Sequence, residues 1–338
     1  MRSPSWPVSL IALIVVALGA VACDGVPGGS GTATATIPGY HVVKDLPLPG
    51  GTGRWDYQAF DPASHRLYIA HLGTSELVVF DTQLERVVSV LSGISSIHGV
   101  ALAPDQGRLF ASATGTNEIV AVDLGTLRVI GRSAAGDYPD GLDYVPDLGK
   151  VYVSDEHGSG DAIVEAKALH LLGSVALGGD IGNTKYDPQA QLIVVAVGST
   201  NELVTVDPRS DRVVGRAPLP GCQGAHSVQL TQSPRRAFVA CAGNGKVAVY
   251  DFATNRVLAI IEVGDNPDVM AYDSGLQRIY VASEDGILAV IRAADPIRRI
   301  TQGNAGPNAH TVAVDPSTHL VYLPMDIGGK PTMRIASP

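Results

Sequence analysis

Residues 99–133 read GVALAPDQGRLFASATGTNEIVAVDLGTLRVIGRS. Four short runs in it, GVALA, RLFASA, EIVAVD and RVIGRS, alternate in hydrophobicity, with Pro, Asp, Gly and Thr between them. An alternation of two puts successive side chains on opposite faces of a strand, whereas a helix needs apolar residues three to four apart. The stretch therefore predicts a four-stranded antiparallel meander.

Working outward, the pattern returns along the whole chain. DPASHRLYIAHLGTSELVVFD (61–81) precedes it, and VPDLGKVYVSDEHGSGDAIVE (145–165), DPQAQLIVVAVGSTNELVTVD (187–207) and QSPRRAFVACAGNGKVAVYD (232–251) follow. DSGLQRIYVASEDGILAVI (273–291) and DPSTHLVYLPMDIGGKPTMRI (315–335) complete the series. One apolar position anchors each copy: Leu67, Leu109, Val151, Ile193, Ala237, Ile279 and Val321, in steps of 42, 42, 42, 44, 42 and 42 residues. Seven copies of about 42 residues have the length of propeller blades. Pro62, Pro104, Pro146, Pro188 and Pro316 suit the second position of a type I turn between the first two strands. Asp81, Asp123, Asp207 and Asp251 end third strands and read as turn formers.

The seventh copy stops after its third strand, while YHVVKDLPL (40–48) stands before the first copy and has the pattern of a fourth. The expected fold is all-β: a seven-bladed β-propeller of four-stranded antiparallel blades over residues 40–338, closed by an N-terminal strand that completes the last blade and removes an open sheet edge. The copies RLYIAHLGTSELVVFDTQLERVV and RIYVASEDGILAVI resemble the YVTN-type β-propeller repeat family, which has many exported bacterial members. That resemblance covers residues 40–338 and implies the fold. Its members include lactonases, lyases and non-catalytic binders, so it implies no single chemistry.

The segment MRSPSWPVSLIALIVVALGAVAC (1–23) has Arg2 in a short leading region, an apolar stretch from Val8 to Ala22, and the small residues Ala20, Val21 and Ala22 before Cys23. It reads as a signal peptide over residues 1–22. It also resembles a bacterial lipoprotein signal, with Ala20 where that pattern favours Leu, which implies lipid attachment at Cys23. The expectation is an exported, membrane-anchored lipoprotein, periplasmic or at the cell surface, touching the membrane through its anchor alone. DGVPGGSGTATATIPG (24–39) lacks apolar periodicity and reads as a flexible linker. With Cys23 lipidated, Cys222 and Cys241 remain as a candidate disulfide; two buried free thiols are the alternative.

Twenty-four Lys and Arg against 33 Asp and Glu give a net charge of −9, and no basic run occurs. That excludes nucleic acid and anionic membrane surfaces as direct partners. The motifs GxxxxGK[ST], HExxH, CxxC and GxSxG are missing from the sequence.

In a propeller the first strand of each blade lines the central channel. The positions read as preceding those strands are Trp55, His98, Asp140, Gly182, His226, Asp268 and His310. Three imidazoles, His98, His226 and His310, with Asp140 and Asp268 nearby, form a candidate site for Zn²⁺, Cu²⁺ or Fe²⁺. Acid–base chemistry is another use of the same groups, and a polar channel mouth without a function is a third. Trp55 is a candidate for stacking on a ligand or for plugging the channel. His71 and Asp155 end second strands at the same mouth and join the candidate surroundings of the site. The neighbouring Glu156, Glu284 and Asp285 read as a solvated loop face. Three function classes remain open on the sequence: a binder of a metal ion or small polar ligand, a metal-dependent lactonase or lyase, and a scaffold for a protein partner.

Overall fold

The computed structural model describes residues 35–338. The signal segment, Cys23 and most of the linker lie outside them. Among the described residues seven four-stranded antiparallel sheets form, and no helix is long and apolar enough to cross a membrane. Six of the sheets are sequential meanders, as the alternation of two predicts, and the seventh takes its outer strand from the N-terminal end of the described residues. In blade 2 the strands are Ile97–Ala103, Arg108–Ala113, Glu118–Asp123 and Arg128–Ala134, paired in that order. The turn chemistry is as read. Asp81 Oδ1 accepts from the amides of Gln83 and Leu84 at 3.0 and 2.7 Å. Asp123, Asp207 and Asp251 make the same local bonds.

One repeated side chain explains how the blades stack. The residue after each anchor is Tyr68, Phe110, Tyr152, Val194, Phe238, Tyr280 or Tyr322, and all are buried. Each packs on the anchor strand of the next blade: Tyr68 on Leu109 and Ala111, Phe110 on Val151 and Val153, Tyr152 on Ile193 and Val195. Tyr322 of blade 7 packs on Leu67 and Ile69 of blade 1, so the same contact closes the ring. Burying such a ring contributes roughly 1.5–3 kcal/mol.

In five of the seven blades the residue before the anchor adds a polar latch across the blade boundary. Arg66 donates to the Leu124 carbonyl at 3.3 Å, Arg108 to Ala166 at 2.6 Å, Lys150 to Pro208 at 2.9 Å and Arg236 to Ala293 at 3.0 Å. Blades 4 and 7 have Leu192 and Leu320 at this position, which have nothing to donate. From blade 6, Arg278 finds the Tyr40 hydroxyl at 2.9 Å, so the N-terminal segment supplies an acceptor.

The ends meet as expected. His41–Pro47 pairs antiparallel with Lys330–Ser337 and becomes the outermost strand of blade 7. The fold begins a little earlier than the tether reading placed it. The Thr36 amide donates to the Asn304 carbonyl at 2.8 Å, and Ile37 is buried against Tyr280 and Leu288. An apolar Ile at the end of a Gly- and Thr-rich run was enough to anchor it between blades 6 and 7.

Asp161 is a cost within this fold. It is fully buried on the third strand of blade 3, accepts a bond from Thr184 at 2.8 Å, and leaves Oδ1 without a partner. Burial pushes its carboxyl up to about 7. A carboxyl raised in the folded state supports folding fully below its unfolded value, and that support is lost as pH rises towards the folded value. At about 1.4 kcal/mol per unit the loss amounts to several kcal/mol. Asp161→Asn, which mimics the protonated acid, should raise the melting temperature at pH 8 and leave it nearly unchanged at pH 4. Thermal unfolding of both proteins at the two pH values checks this.

Candidate functional site

The innermost strands of blades 2 to 6 begin at Ile97, Pro139, Ile181, Ala225 and Pro267. The second residue of each is His98, Asp140, Gly182, His226 or Asp268, and His310 lies 42 residues beyond Asp268. These positions ring one mouth of the channel. The seventh member is Asp56, 42 residues before His98, and not Trp55. Trp55 sits where Ile97 and Ile181 sit, in the core between blades 7 and 1. Its indole stacks on His71, with centroids 3.6 Å apart and planes 7° from parallel. Both are buried, and neither lines the mouth cavity. Their expected part in ligand binding is corrected accordingly: they are paired core rings.

The cavity at the mouth measures about 260 Å³, and its walls include Asp56, His98, Asp140, Glu156, His226 and Asp268. Below it, the Asn183 amide donates to the Tyr57 hydroxyl, joining blades 1 and 4 across the channel. Tyr57 lines this cavity and also the next one down, of about 280 Å³, so the pair divides the channel.

The sequence reading passed over Arg54. Its guanidinium contacts Glu284 at 2.9 Å, Asp268 at 3.0 Å and Asp56 at 3.4 Å, so Glu284 is part of the mouth and not only a solvated loop residue. Asp56 is 1% exposed, and its carboxyl is raised well above the usual range by burial and by Asp268 and Asp140. Burial, then Glu156, pushes Asp140 up to about 7. Burial by itself would lower the His226 pKa, but Asp268, 3.6 Å from its Nε2, together with Asp140 and Glu156, lifts it to about 9. Burial works to raise Asp268, yet His226 and Arg54 hold it below the ordinary value. The mouth thus collects five carboxyl groups around one arginine and one protonated histidine.

The other two histidines are held through Nδ1. His98 Nδ1 lies 2.8 Å from the Ser96 carbonyl and 2.8 Å from Thr114 Oγ1, which itself donates to Pro139 O. Nδ1 thus faces acceptors, and the residue lines the cavity. His310 repeats this geometry, with Nδ1 3.1 Å from the Asn308 carbonyl. It is fully buried, has no partner at Nε2, and burial lowers its pKa. Ser96 and Asn308 both have left-handed backbones, with φ of 47° and 50°, which turn their carbonyls toward the rings.

Among the described residues, one group of potential metal donors has all its atoms within 4.8 Å of one another: Asp140, Glu156 and His226. The three histidines do not form such a group. Only His226 belongs to it; His98 is tied to Ser96 and Thr114, and His310 is buried beside Asn308. Glu156, half-buried and raised by burial, takes a place the sequence reading gave to solvent. Asp155 positions it from behind: its Oδ1 accepts from the amides of Asp137 and Gly158 at 2.7 and 2.9 Å and so shapes the loop that carries Glu156.

Cys222 and Cys241 form a disulfide across 19 residues, beside the loop that carries His226. This is the pairing expected from the sequence.

The fold and mouth define a seven-bladed β-propeller with an ionisable axial site. A chain of Kuenenia stuttgartiensis hydrazine synthase is similar to it in structure, with a TM-score of 0.70 and 17% identity, over 86% of this chain and 96% of that one. At that identity the likeness concerns the fold. Neither a protein-family model nor a curated relative matches the chain.

Trp55→Ala should lower stability by about 3–5 kcal/mol, as loss of a fully buried ring does. Asp56→Asn, at the mouth, should cost far less or stabilise, because it removes a carboxyl that burial and two neighbouring acids disfavour. Denaturant unfolding of the two variants distinguishes core from rim; equal losses would return Trp55 to the mouth.

Proposed function

We propose that this protein is an exported, lipid-anchored propeller of the YVTN-type repeat family that binds a divalent metal ion at its channel mouth through Asp140, Glu156 and His226. One observation carries the reading. Asp140 is 4% exposed, its Oδ1 has no hydrogen-bond partner, and it faces two further donors within 4.8 Å. Buried acceptors are rarely left unsatisfied, and a cation satisfies a carboxylate, a second carboxylate and an imidazole together. One imidazole with two carboxylates suits Zn²⁺ or Fe²⁺ better than copper, which favours softer or nitrogen-richer sets.

Metal-dependent hydrolysis or elimination, as in a lactonase or lyase, is a second reading, and His98 favours it. Its ring, held through Nδ1, lines the same cavity beside the three donors, where an imidazole can exchange a proton with a bound molecule. A bound metal would supply charge to polarise an oxygen of that molecule.

Asp140→Asn, Glu156→Gln and His226→Ala should each weaken Zn²⁺ binding by about 10–100-fold or more, while His310→Ala stays close to the parent. Calorimetric titration on the chelator-treated protein measures this. Equal affinity in all four variants, or a parent that binds no metal, refutes the assignment. Asp140 near 7 and His226 near 9 must both lose protons to ligate, so affinity should rise between pH 6 and pH 9. A flat profile across that range would count against these two ligands.

The anchor reading rests on the signal-like segment and Cys23, and mass spectrometry of the mature protein tests it. An acylated Cys23 at the N-terminus is the expected outcome. An unmodified Cys23 would remove the lipid, and a retained Met1 in exporting cells would remove the export.

A further inference from the structure

Six of the seven ring positions carry an ionisable side chain, and the seventh is Gly182 on blade 4. The donors Asp140 and His226 are the ring residues of blades 3 and 5, so they stand on either side of that glycine. Glu156 follows the second strand of blade 3. All three donors therefore straddle the one place where the ring has no side chain. The backbone forbids one there: a Cβ on Gly182 would lie 2.4 Å from the His226 carbonyl oxygen and 2.6 Å from its Cα.

Beside this gap lies a second cavity of about 450 Å³, walled in part by Asp180, Gly182, Gly198, Ser199 and Ala242. Glu156 and His226 line both it and the axial cavity, so a cation held by them is reached from blade 4 as well as from the axis. The size is that of small-molecule clefts, about 300–1,000 Å³. The irregularity of the repeat falls on the same wall. The single 44-residue step places its two additional residues in PLPGCQGAHSV (218–228), which contributes Gly224 and Ala225 to the chamber. The Cys222–Cys241 disulfide fastens that loop to the strand leading into Ala242.

We infer that this chamber is the binding pocket for a compact, neutral molecule with two neighbouring oxygen donors, which completes the cation's shell over Gly182. The inference rests on the metal reading above. Three protein donors are the complement of an open metal centre, whereas a closed structural site has at least four. Two carboxylates already balance a dication, and Asp180 lines the same chamber, so an anionic ligand would be disfavoured. The small Gly, Ser and Ala walls leave room for a ring-sized molecule, whose carbon skeleton would face them and Ile181.

Mn²⁺ is a suitable probe of the full chain, because water-proton relaxation reports exchangeable water on the bound ion. Bound Mn²⁺ should show at least one such water, and cis-1,2-cyclopentanediol should displace it at about tenfold lower concentration than cyclopentanol. Ser199→Phe and Ala242→Phe fill the chamber without removing a donor. Each should leave Mn²⁺ affinity near the parent value and weaken the diol effect about tenfold. Bound Mn²⁺ with no exchangeable water, or a diol effect that is missing or survives both substitutions, overturns the inference while the metal reading stands. A parent chain that binds no Mn²⁺ overturns both.

Discussion

A propeller closes only when its first and last blades are held to each other, and here a short strand from the start of the chain does it. His41–Pro47 pairs with Lys330–Ser337, so blade 7 is built from both ends of the repeat region. Tyr322 then meets Leu67 and Ile69 as every other second-strand aromatic meets its neighbour. Tyr40 and Ile37 extend the same segment across blade 6. Without that closure the aromatic contacts would form an open arc with an unpaired edge, and the seven strand starts would not face one another. The ionisable mouth is thus a consequence of a pairing between residues almost 300 apart.

Closure also explains the electrostatics. Six of the seven blades contribute a side chain to a narrow ring, and three of these are acids. Asp56, Asp140 and Asp268 would be ordinary carboxylates on separate surfaces. Brought together, and joined by Glu156 from an adjoining loop, they raise or lower one another according to which cation is near. Asp268, beside both Arg54 and His226, stays ionised. Asp140, with an unpartnered oxygen, is driven to about 7. Such divergence of neighbouring acids is expected where a site lacks a counter-charge that its geometry anticipates.

The repeat was legible because strand alternation and turn residues are local properties, written within a few residues of where they act. The disulfide followed from an odd cysteine count and two strand ends at one mouth. The ring was legible to within one residue: the 42-residue step places Asp56 at the first position, but an aromatic at a channel mouth drew attention to Trp55 instead. Glu156 and Arg54 were not legible in the same way. They fall on the 42-residue step, Arg54 in line with Ser96 and Glu156 with Thr114 and Gly198, but their charge is not kept from blade to blade, and they stand in loops whose direction depends on bonds such as those that Asp155 accepts from Asp137 and Gly158. No periodicity reports where a loop returns. The choice among donors was likewise three-dimensional, since His98 and His310 match His226 in sequence position and differ only in what holds their rings.

In a structure made of near-identical units, the departures from the repeat locate what the fold alone does not require. Gly182 interrupts the ring on blade 4, and the only 44-residue step enters blade 5. Both fall on one side of the propeller, and the disulfide lies there as well. The two inserted residues have no counterpart in the other blades, and the crosslink through Cys222 and Cys241 fixes the loop that carries His226. Stability of the ring by itself would favour seven equal boundaries. An opening braced in this way, next to Asp140, Glu156 and His226, is what a site needs when it must admit a molecule without letting its metal donors move.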